Sequence, residues 1–338
     1  MRITILLSVL VVCSCHILWS DLLYLDTNLE NRTPTLPTLP TLPNSNYLLA
    51  SYDFKYGQPL ITTSLKSIIF DYYTYNNGWS VVINNIEYAM PDQLYVLSDP
   101  YEDKQCRNQV FYTAEDVLES LFQSFTIGFN CKHINGTFSL SEQYEYFNEQ
   151  YNMYASYTAN SFTTILCSRM EFNDNIRLNK NFKYALNKLP ANYTAETCNE
   201  YEKFITLYGT AFLGKARYGG YINMVSSYSI TSTYGKSMKD IGIELSAKFM
   251  MMNTDNKFNW NETDIYQDLN ATYNSQLKII GGNPGLTGNE WIASVPENPL
   301  IVEGDIISLA EFLPPNSDSK TSLLAALTAY YNGELCVF

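Results

Sequence analysis

The chain has 338 residues, of which 46% are hydrophobic and 14% aromatic, and 28 of them are tyrosines. This composition supplies enough apolar surface for a folded core, and it excludes a disordered, collagen-like or coiled-coil chain. The formal net charge is −13. Because a chain this acidic is repelled by phosphate backbones, we expect no nucleic-acid partner.

The N-terminus has the pattern of a secretory leader. Arg2 supplies a positive charge, and the apolar run Ile3–Val12 has the length of a signal-peptide hydrophobic region, about ten residues. We therefore predict that residues 1–20 are a signal peptide, with cleavage either before His16 or before Asp21. No other stretch reaches the roughly 18 uninterrupted apolar residues that are typical of a transmembrane helix.

A proline-rich stretch follows the leader. Proline stands at every third position from Pro34 to Pro43, which forbids a helix and favours an extended polyproline II conformation. Residues 21–46 are therefore predicted to be a linker, and residues 47–338 to be one folded domain.

The predicted elements of this domain mix strands and helices. Two strands, Ile68–Tyr75 and Trp79–Ile86, are predicted on either side of a turn at Asn76–Gly78. Because the elements lack βαβ regularity, the fold class is predicted to be α+β. The remaining predicted elements are, in chain order, a helix over Ala114–Phe122, strands over Phe125–Phe129 and Phe162–Phe172, a helix over Ala195–Leu207, a long strand over Phe212–Ser229 that is interrupted at Gly219 and Gly220, a short strand over Leu277–Ile280 and a helix over Thr321–Tyr331.

Two segments carry both a helical and a strand period. Within Leu140–Ala159 and Ile241–Ile279, apolar residues recur at helical steps of three and four, yet parts of both segments also alternate apolar and polar residues. A strand of about ten residues with one apolar and one polar face is the unit of a membrane β-barrel. Short alternation also arises by accident in soluble amphipathic helices, so the period leaves both interpretations open. The residues predicted to form the wall of two membrane hairpins are Leu140, Tyr144, Phe147, Tyr151 and Met153 in the first segment, and Ile241, Ile243, Leu245, Phe249, Leu269 and Tyr273 in the second.

The cysteines and the glycosylation sequons fit an oxidising compartment. Five cysteines remain after removal of the leader. We predict the pairs Cys106–Cys131 and Cys167–Cys198, because each pair brackets neighbouring elements, with Cys336 unpaired. Sequons that end in threonine predict glycosylation at Asn31, Asn135, Asn192, Asn261 and Asn270.

The segment Tyr201–Phe212 resembles the signature of the membrane-attack-complex/perforin (MACPF) family. That signature is a tyrosine, six residues, an aromatic residue, and then glycine, threonine, histidine and an aromatic residue. The matching residues are Tyr201, Tyr208, Gly209, Thr210 and Phe212, whereas Ala211 stands at the histidine position.

Other features follow in the order that the family shows. Gly219–Gly220 matches the glycine pair at the bend of the family's central sheet, and the two segments with a double period lie where its helical clusters refold into membrane hairpins. Tyr52–Pro59 is similar to the opening segment of protozoan members, and Trp291–Tyr331 to the closing strand and helices. The resemblance implies an α+β fold with a bent, twisted antiparallel central sheet flanked by two helical clusters.

The resemblance also implies a secreted pore-forming protein rather than an enzyme. Soluble monomers would bind a target membrane, associate into a ring or arc, and convert both segments into β-hairpins, so the expected partners are a lipid membrane and further copies of the chain. No cofactor, metal or catalytic residue is expected. After removal of the leader His133 is the single histidine, and the sequence has no nucleophile elbow, phosphate loop or histidine-rich metal spacing.

A non-lytic recognition or adhesion protein of the same fold is the alternative. The change at Ala211 and the short stretch after the domain, residues 332–338, favour it. The sequons at Asn261 and Asn270 favour it too, because a glycan on an inserted hairpin would have to cross the bilayer core, where polar groups are costly.

Overall fold

The computed structural model describes residues 19–24, 37–57, 64–98, 105–111, 125–127, 157–228, 273–286 and 288–338. Within these ranges the strands are β1 (Ala50–Tyr52), β2 (Leu65–Ile68), β3 (Ser80–Ile83), β4 (Ile86–Ala89), β5 (Leu94–Ser98), β6 (Gln105–Phe111), β7 (Phe125–Ile127), β8 (Tyr157–Phe172), β9 (Ala211–Tyr228), β10 (Tyr273–Ile280) and β11 (Leu300–Ser308). The α-helices are α1 (Lys180–Asn187), α2 (Cys198–Tyr208), α3 (Gly288–Ser294) and α4 (Asp318–Asn332). None of these helices combines the length and the apolar character that a bilayer-crossing helix requires.

The central sheet is built around the antiparallel pair β8 and β9, which runs from the Tyr157–Tyr228 pair to the Glu171–Lys215 pair. Each of these long strands is flanked on its other side by two shorter strands placed end to end. Along β8 these are β6 and then β5, and along β9 they are β10 and then β11. We call the part with β6 and β10 the upper half of the sheet, and the part with β5 and β11 the lower half.

The two halves meet at one level, which we call the waist. There β9 carries Gly219–Gly220, and β8 shifts its register within Leu166–Ser168. A bulge of this kind bends its strand and increases the local twist. At the same level β10 ends at Ile280 opposite Tyr221 and β11 begins at Leu300 opposite Gly219. On the other side of the pair, β5 ends at Ser98 opposite Ser168 and β6 begins at Gln105 opposite Thr164. On both sides, therefore, one flanking strand ends and the next begins at the waist.

The lower half has one exposed and one buried face. On β5 the exposed side chains are Tyr95 and Leu97, and the same face carries the ion pair Arg217–Glu303 between β9 and β11, at 3.1 Å. Exposed ion pairs contribute little to stability, so the buried face holds this half together. The largest side chains that are fully buried in the described residues are Trp291, Tyr52, Tyr201, Tyr218, Phe54, Phe70, Phe182 and Phe212.

The long predicted elements are confirmed. The strand predicted over Phe162–Phe172 lies in β8, the one over Phe212–Ser229 corresponds to β9, and the helix predicted over Thr321–Tyr331 lies in α4. The predicted Phe125–Phe129 strand overlaps β7, whereas the helix predicted over Ala114–Phe122 lies outside the described residues.

The predicted first hairpin is wrong. Its first strand, Ile68–Tyr75, is not a strand, because β2 ends at Ile68. The turn lies at Asn84–Asn85, between β3 and β4, where both residues have positive φ of 49° and 64°. Two successive left-handed residues are what a two-residue turn of type I′ requires, and asparagine tolerates that conformation. The predicted turn at Asn76–Gly78 is held by the Asp92 carboxylate, which accepts hydrogen bonds from the N–H groups of residues 76 and 77 at 2.9 and 3.0 Å.

Part of the predicted linker packs against the domain. The carbonyl of Pro40 accepts a hydrogen bond from the N–H of Ala89 at 2.8 Å, and Thr41 forms a parallel bridge with the same residue. Leu42 is 3% exposed. A proline cannot donate, but its carbonyl can still accept at the edge of a sheet. Residues 37–46 therefore extend the β3–β4 hairpin instead of forming a free-standing rod.

The structure corrects one predicted disulfide. Cys198, at the start of α2, is bonded to Cys336, with a Cα–Cα distance of 5.4 Å. Cys167 lies buried in β8 and takes no part in this bond, so the predictions of a Cys167–Cys198 pair and of an unpaired Cys336 are wrong. The sequence argument failed because bracketing neighbouring elements is a local criterion, whereas the observed bond spans 138 residues. The Cys106–Cys131 pair lies outside the described side chains.

Breaking this disulfide should lower stability measurably. A cross-link that closes a loop of this length restricts the unfolded chain strongly, and native disulfides typically contribute about 2–4 kcal/mol. We expect a reductant to lower the melting temperature of the wild-type chain but not that of the Cys198→Ser/Cys336→Ser variant. If the reductant shifts both chains equally, another disulfide dominates the effect.

Candidate functional site

The upper edge of the sheet is where both segments with a double period are attached. β6 ends at Phe111 opposite Thr158, β8 begins at Tyr157 opposite Tyr228, and β10 begins opposite the same Tyr228. The chain between residues 112 and 156 therefore connects the adjacent strands through β7, and the chain between residues 229 and 272 connects β9 to β10. Each connection joins two strands that are direct neighbours in the sheet, β6 with β8 and β9 with β10, and β7 in the first connection pairs with β11 in the lower half.

Most residues predicted to form the membrane hairpins lie outside the described residues. The exception is Tyr273, which is the first residue of β10 and pairs with Tyr228. The C-terminal ends of both predicted segments are thus already strands of the central sheet, over Tyr157–Ala159 and Tyr273–Ile279.

The signature segment forms a junction at the lower end of the sheet. Tyr201 of α2 is fully buried, and its hydroxyl donates a hydrogen bond to the carbonyl of Pro190 at 2.6 Å. Tyr208 is 6% exposed and packs its ring against Phe182 of α1 at 5.1 Å. The two aromatic residues of the signature therefore fix α2 on its neighbours before the chain enters β9.

Gly209 and Thr210 join α2 to β9 through the backbone of Tyr52. Gly209 ends the helix with φ of +71°, and a Cβ at this position would overlap the carbonyl oxygen of Tyr52. The N–H of Thr210 donates to that same carbonyl at 2.9 Å, and its hydroxyl bonds the Tyr331 hydroxyl of α4 at 2.7 Å. Glycine is required because the backbone must turn left-handed and approach β1 closely. Thr210 then links three elements: β1, β9 and α4.

The last two positions of the signature are the apolar end of the junction. Phe212 is fully buried and stacks on Phe312 with ring centroids 4.7 Å apart. Ala211, at the family's histidine position, is also fully buried and pairs with Tyr52 and Ser308 in the sheet. The signature is therefore structural: it holds β1, β9, α2 and α4 together.

A buried carboxylate lies beside this junction. Asp53 is 1% exposed, and its side chain accepts hydrogen bonds from the Tyr330 hydroxyl at 2.5 Å and the Lys55 N–H at 3.2 Å. The Lys66 ammonium is 3.9 Å from the same carboxylate. Burial raises the pKa of Asp53 above its ordinary value, and the hydrogen bond from Tyr330 and the charge of Lys66 offset only part of that rise.

This buried carboxylate should give stability a distinctive pH dependence. Because the pKa of Asp53 is higher in the folded chain, the folded state holds the proton more tightly, and the stability contributed by protonated Asp53 is lost as pH rises through the raised pKa. Asp53→Asn cannot ionise, so the free energy of unfolding of the variant minus that of the wild type should increase between pH 4 and pH 8. Urea unfolding at several pH values measures this difference.

A suitable control for this measurement is Asp174→Asn, which removes an exposed carboxylate and so reports the general effect of net charge. A difference between Asp53→Asn and the wild type that stays constant with pH, or that decreases as pH rises, would contradict the assignment.

The waist is filled by a tryptophan that sequence analysis did not single out. Trp291 of α3 is fully buried, and its indole N–H donates to the carbonyl of Gly281 at 2.9 Å. Ser294, one turn later, donates its hydroxyl to the carbonyl of Trp291 at 2.7 Å and accepts the N–H of Asn283 at 2.8 Å. These bonds attach α3 to the loop that follows β10. The sequence signal was available, since the chain has only four tryptophans.

Two glycines make room for Trp291, and a third lets the loop after β10 approach the backbone of β9 closely. A Cβ on Gly220 would lie 2.9 Å from the Trp291 ring and 2.6 Å from Cγ2 of Val295, and a Cβ on Gly282 would lie 2.8 Å from the indole nitrogen. A Cβ on Gly281 would overlap the carbonyl of Gly219. Glycine in a strand marks such a close approach. The predicted flexing point at Gly219–Gly220 is therefore, in this state, a closely packed contact with α3.

The junction and the waist consist of packing and hydrogen-bond contacts that hold neighbouring elements together. In the described ranges, no group of three or more histidine, cysteine, aspartate or glutamate side chains is placed to hold a metal ion. The described titratable cluster at Asp53 is buried beneath the junction and ties β1 to α4.

The comparison with known families agrees with the fold. The sequence profile of the MAC/Perforin domain matches residues 36–335, and the chain belongs to this family. Proteins of this family generally act on membranes, as pore-forming or recognition proteins. The crystal structure of GNIP1Aa from Chromobacterium piscinae superposes with a TM-score of 0.66 at 14% identity, covering 88% of this chain and 58% of that chain. The α+β fold with an antiparallel central sheet is thereby confirmed.

Two curated relatives come from the genus Pomacea. The perivitellin-2 67 kDa subunit of Pomacea maculata is 20% identical over 264 residues, which is 77% of this chain and 46% of that protein. The same subunit of Pomacea canaliculata is 19% identical over the same length. The chain thus spans about half the length of the curated relatives it matches. The similarity to protozoan members stays a prediction.

Proposed function

We propose that the protein is a secreted pore-forming protein that oligomerises on a target membrane and inserts two β-hairpins per subunit. Membership of the MAC/Perforin family supports action on membranes. The observation that carries the proposal further is the geometry of the upper edge, where both segments with a double period leave and re-enter the central sheet.

Antiparallel neighbours at that edge are suited to extension. β9 and β10 are adjacent and antiparallel up to the Tyr228–Tyr273 pair, and β6 and β8 up to the Phe111–Thr158 pair. Continuing either ladder past the edge would turn the connecting segment into a hairpin in register with the sheet, and in the first connection the hairpin would be drawn from the residues between β7 and β8 unless β7 leaves β11. Each connection has more than 40 residues, over 112–156 and 229–272, whereas two membrane strands of about ten residues need roughly half that length.

Closure into a barrel provides the driving force. Every backbone polar group in a bilayer must be hydrogen-bonded, so hairpins from one subunit are not stable there alone. Hairpins from neighbouring copies can pair their edges until the barrel closes, which links insertion to oligomerisation. The net charge of −13 keeps monomers apart in solution until a membrane concentrates them.

Dye release from lipid vesicles tests the proposal. The full chain, secreted from eukaryotic cells so that disulfides form, is added to phosphatidylcholine vesicles with and without cholesterol or phosphatidylserine, between pH 5 and pH 8. We expect release in at least one condition and rings or arcs of protein in electron micrographs. Absence of release in every condition, with a folded chain, would contradict pore formation.

A disulfide lock at the waist supplies a matched control. In Gly220→Cys/Val295→Cys the two Cβ atoms would lie within about 4 Å, because a Cβ on Gly220 is 2.6 Å from Cγ2 of Val295. The lock ties the residue after α3 to β9. Because a Cβ on Gly220 also comes within 2.9 Å of the Trp291 ring, thermal unfolding must first show that both forms of the variant are folded. If the waist must open, the folded oxidised variant should not release dye and the folded reduced variant should. Wild-type chain in the same reductant controls for loss of Cys198–Cys336. Equal release by the oxidised variant would exclude opening at the waist.

A non-lytic recognition protein is the second candidate, and the sequons in the second segment favour it. Asn192, between α1 and α2, is exposed and lies outside both segments in the sequence, so its glycan serves as an internal control for glycosylation in the secreted chain. If mass spectrometry finds Asn192 and Asn261 both occupied, insertion of the second hairpin is disfavoured. If Asn192 is occupied and Asn261 and Asn270 are not, the pore-forming proposal is favoured.

A further inference from the structure

An aromatic anchor lies upstream of the predicted folded domain. Trp19–Leu23 form a 3-10 helical turn in which Leu22 and Leu23 are 4% and 6% exposed. The turn packs against a second 3-10 turn, Leu309–Phe312, which follows β11. This position lies within residues predicted from the sequence to be leader and linker.

The Trp19 side chain is half-buried, and its ring packs against four phenylalanines from separate elements. Its centroid is 4.8 Å from Phe212 of β9, 6.1 Å from Phe312, and 6.3 Å from both Phe70 and Phe172. Three of these contacts have edge-to-face geometry, which aromatic pairs favour. Trp19 therefore sits where the junction residue Phe212, the end of β8 and the turn after β11 meet.

The sheet leaves space for this ring. Gly214 stands in the interior of β9, and a Cβ there would lie 3.1 Å from Cζ2 of Trp19 and would overlap Cδ1 of Ile307. Glycine inside a strand normally weakens it, so its presence here is explained by the close approach of neighbouring side chains. At this contact Trp19 supplies the aromatic ring, and Gly214, which has no side chain, leaves the space beside it.

We propose that Trp19 is an integral part of the folded domain and that the leader is removed between Cys15 and His16. Of the two cleavage sites consistent with the sequence, cleavage before Asp21 would remove Trp19 and with it the ring contacts to the four phenylalanines. Cleavage before His16 keeps the anchor, and it places small residues, Cys13 and Cys15, at the −3 and −1 positions that signal peptidase requires. The inference rests on the leader predicted from the sequence and not on pore formation.

The first test is the N-terminus of the secreted protein. The full sequence is expressed in eukaryotic cells, and the N-terminus of the protein in the medium is determined by Edman sequencing and intact mass after removal of glycans. We expect His16 as the first residue. A secreted chain that begins at Asp21 or beyond, or that retains residues 1–15, would overturn the proposal.

The second test measures what the anchor contributes. Chains that begin at His16 and at Asp21, each secreted behind the same foreign leader, are compared by thermal unfolding. The Asp21 chain should melt roughly 5–10 °C lower, because it lacks a large aromatic side chain from the core. Trp19→Ala in the His16 chain should show a similar loss, and Trp19→Phe a smaller one in case the alanine variant does not fold.

A matched control is Tyr24→Ala, which removes an aromatic side chain of the same segment that is 71% exposed. It should leave the melting temperature unchanged. Equal melting temperatures for the His16 and Asp21 chains would overturn the anchor, whatever the vesicle assay shows.

Discussion

Replacing Trp291 with alanine should lower the free energy of unfolding by about 3–5 kcal/mol, the range for removing a large aromatic side chain from a core. The ring is fully buried, it fills the space over Gly220 and Gly282, and its indole N–H satisfies the carbonyl of Gly281. The loss should be large because the surrounding glycines have no side chains that could move into the cavity. Urea unfolding followed by circular dichroism measures it.

Two further variants make this result specific to the waist. Trp291→Phe keeps an aromatic ring, so it should cost less than the alanine change. It should still cost some stability, because loss of the indole donor leaves the Gly281 carbonyl without that hydrogen bond. Trp79→Ala removes a tryptophan that is 48% exposed, and we expect a change within about 0.5 kcal/mol. Equal losses for Trp291→Ala and Trp79→Ala would show that α3 is not anchored at the waist.

The Trp291→Ala variant also tests the proposed function. If opening of the waist limits insertion, a chain without the Trp291 ring should release vesicle dye faster at temperatures where it is still folded, since its closed state is less stable. The oxidised Gly220→Cys/Val295→Cys lock should act in the opposite direction. Slower release by Trp291→Ala at a temperature where the variant remains folded would contradict this order of events.

The second large effect is expected at Gly209. Gly209→Ala forces a residue with a side chain into φ of +71° and places its Cβ against the Tyr52 carbonyl, with Cγ of Lys66 2.9 Å away on another side. With φ of +71° and ψ of −149° the backbone lies in a region that is populated almost only by glycine, which alone costs about 1–3 kcal/mol, and the overlap with backbone cannot be relieved by a rotamer change. We expect a total loss above about 3 kcal/mol, or a chain that is not secreted.

The matched control is Gly78→Ala. Gly78 has φ of +64°, close to that of Gly209, but a Cβ there would meet nothing within 4 Å. It isolates the conformational cost, so we expect a loss of about 1–2 kcal/mol. If the two alanine variants lose the same stability, the close approach between Gly209 and β1 does not exist in solution.

The sequence predicted the parts of the fold that depend on local pattern. The stretches Phe162–Phe172 and Phe212–Ser229 identified β8 and β9, because the residue types that favour a strand lie next to one another in the chain. Sequence analysis misplaced the first hairpin turn, because Asn76–Gly78 and Asn84–Asn85 are both turn-forming sequences. The choice between them depends on Asp92, which holds the first, and on the pairing of β3 with β4.

The candidate site was predicted in outline only. The spacing of Tyr201, Tyr208 and Gly209 identified the family, but not that Thr210 would bond Tyr331, more than a hundred residues further on. Gly220 was predicted as a point of flexibility, whereas its lack of a side chain accommodates Trp291. No local pattern distinguishes a glycine that allows bending from one that allows close packing, since both leave the same sequence signal.

By itself, then, the sequence determined the fold class, the long strands and the family signature, because each is recorded in residues that are near one another in the chain. Tertiary structure alone decided that Cys198 bonds Cys336, that Trp19 packs against Phe212, and that Trp291 fills the waist. Those outcomes depend on which distant surfaces come together when the sheet forms. Such contacts form between residues that are far apart in the sequence, so they produce no periodic pattern along the chain.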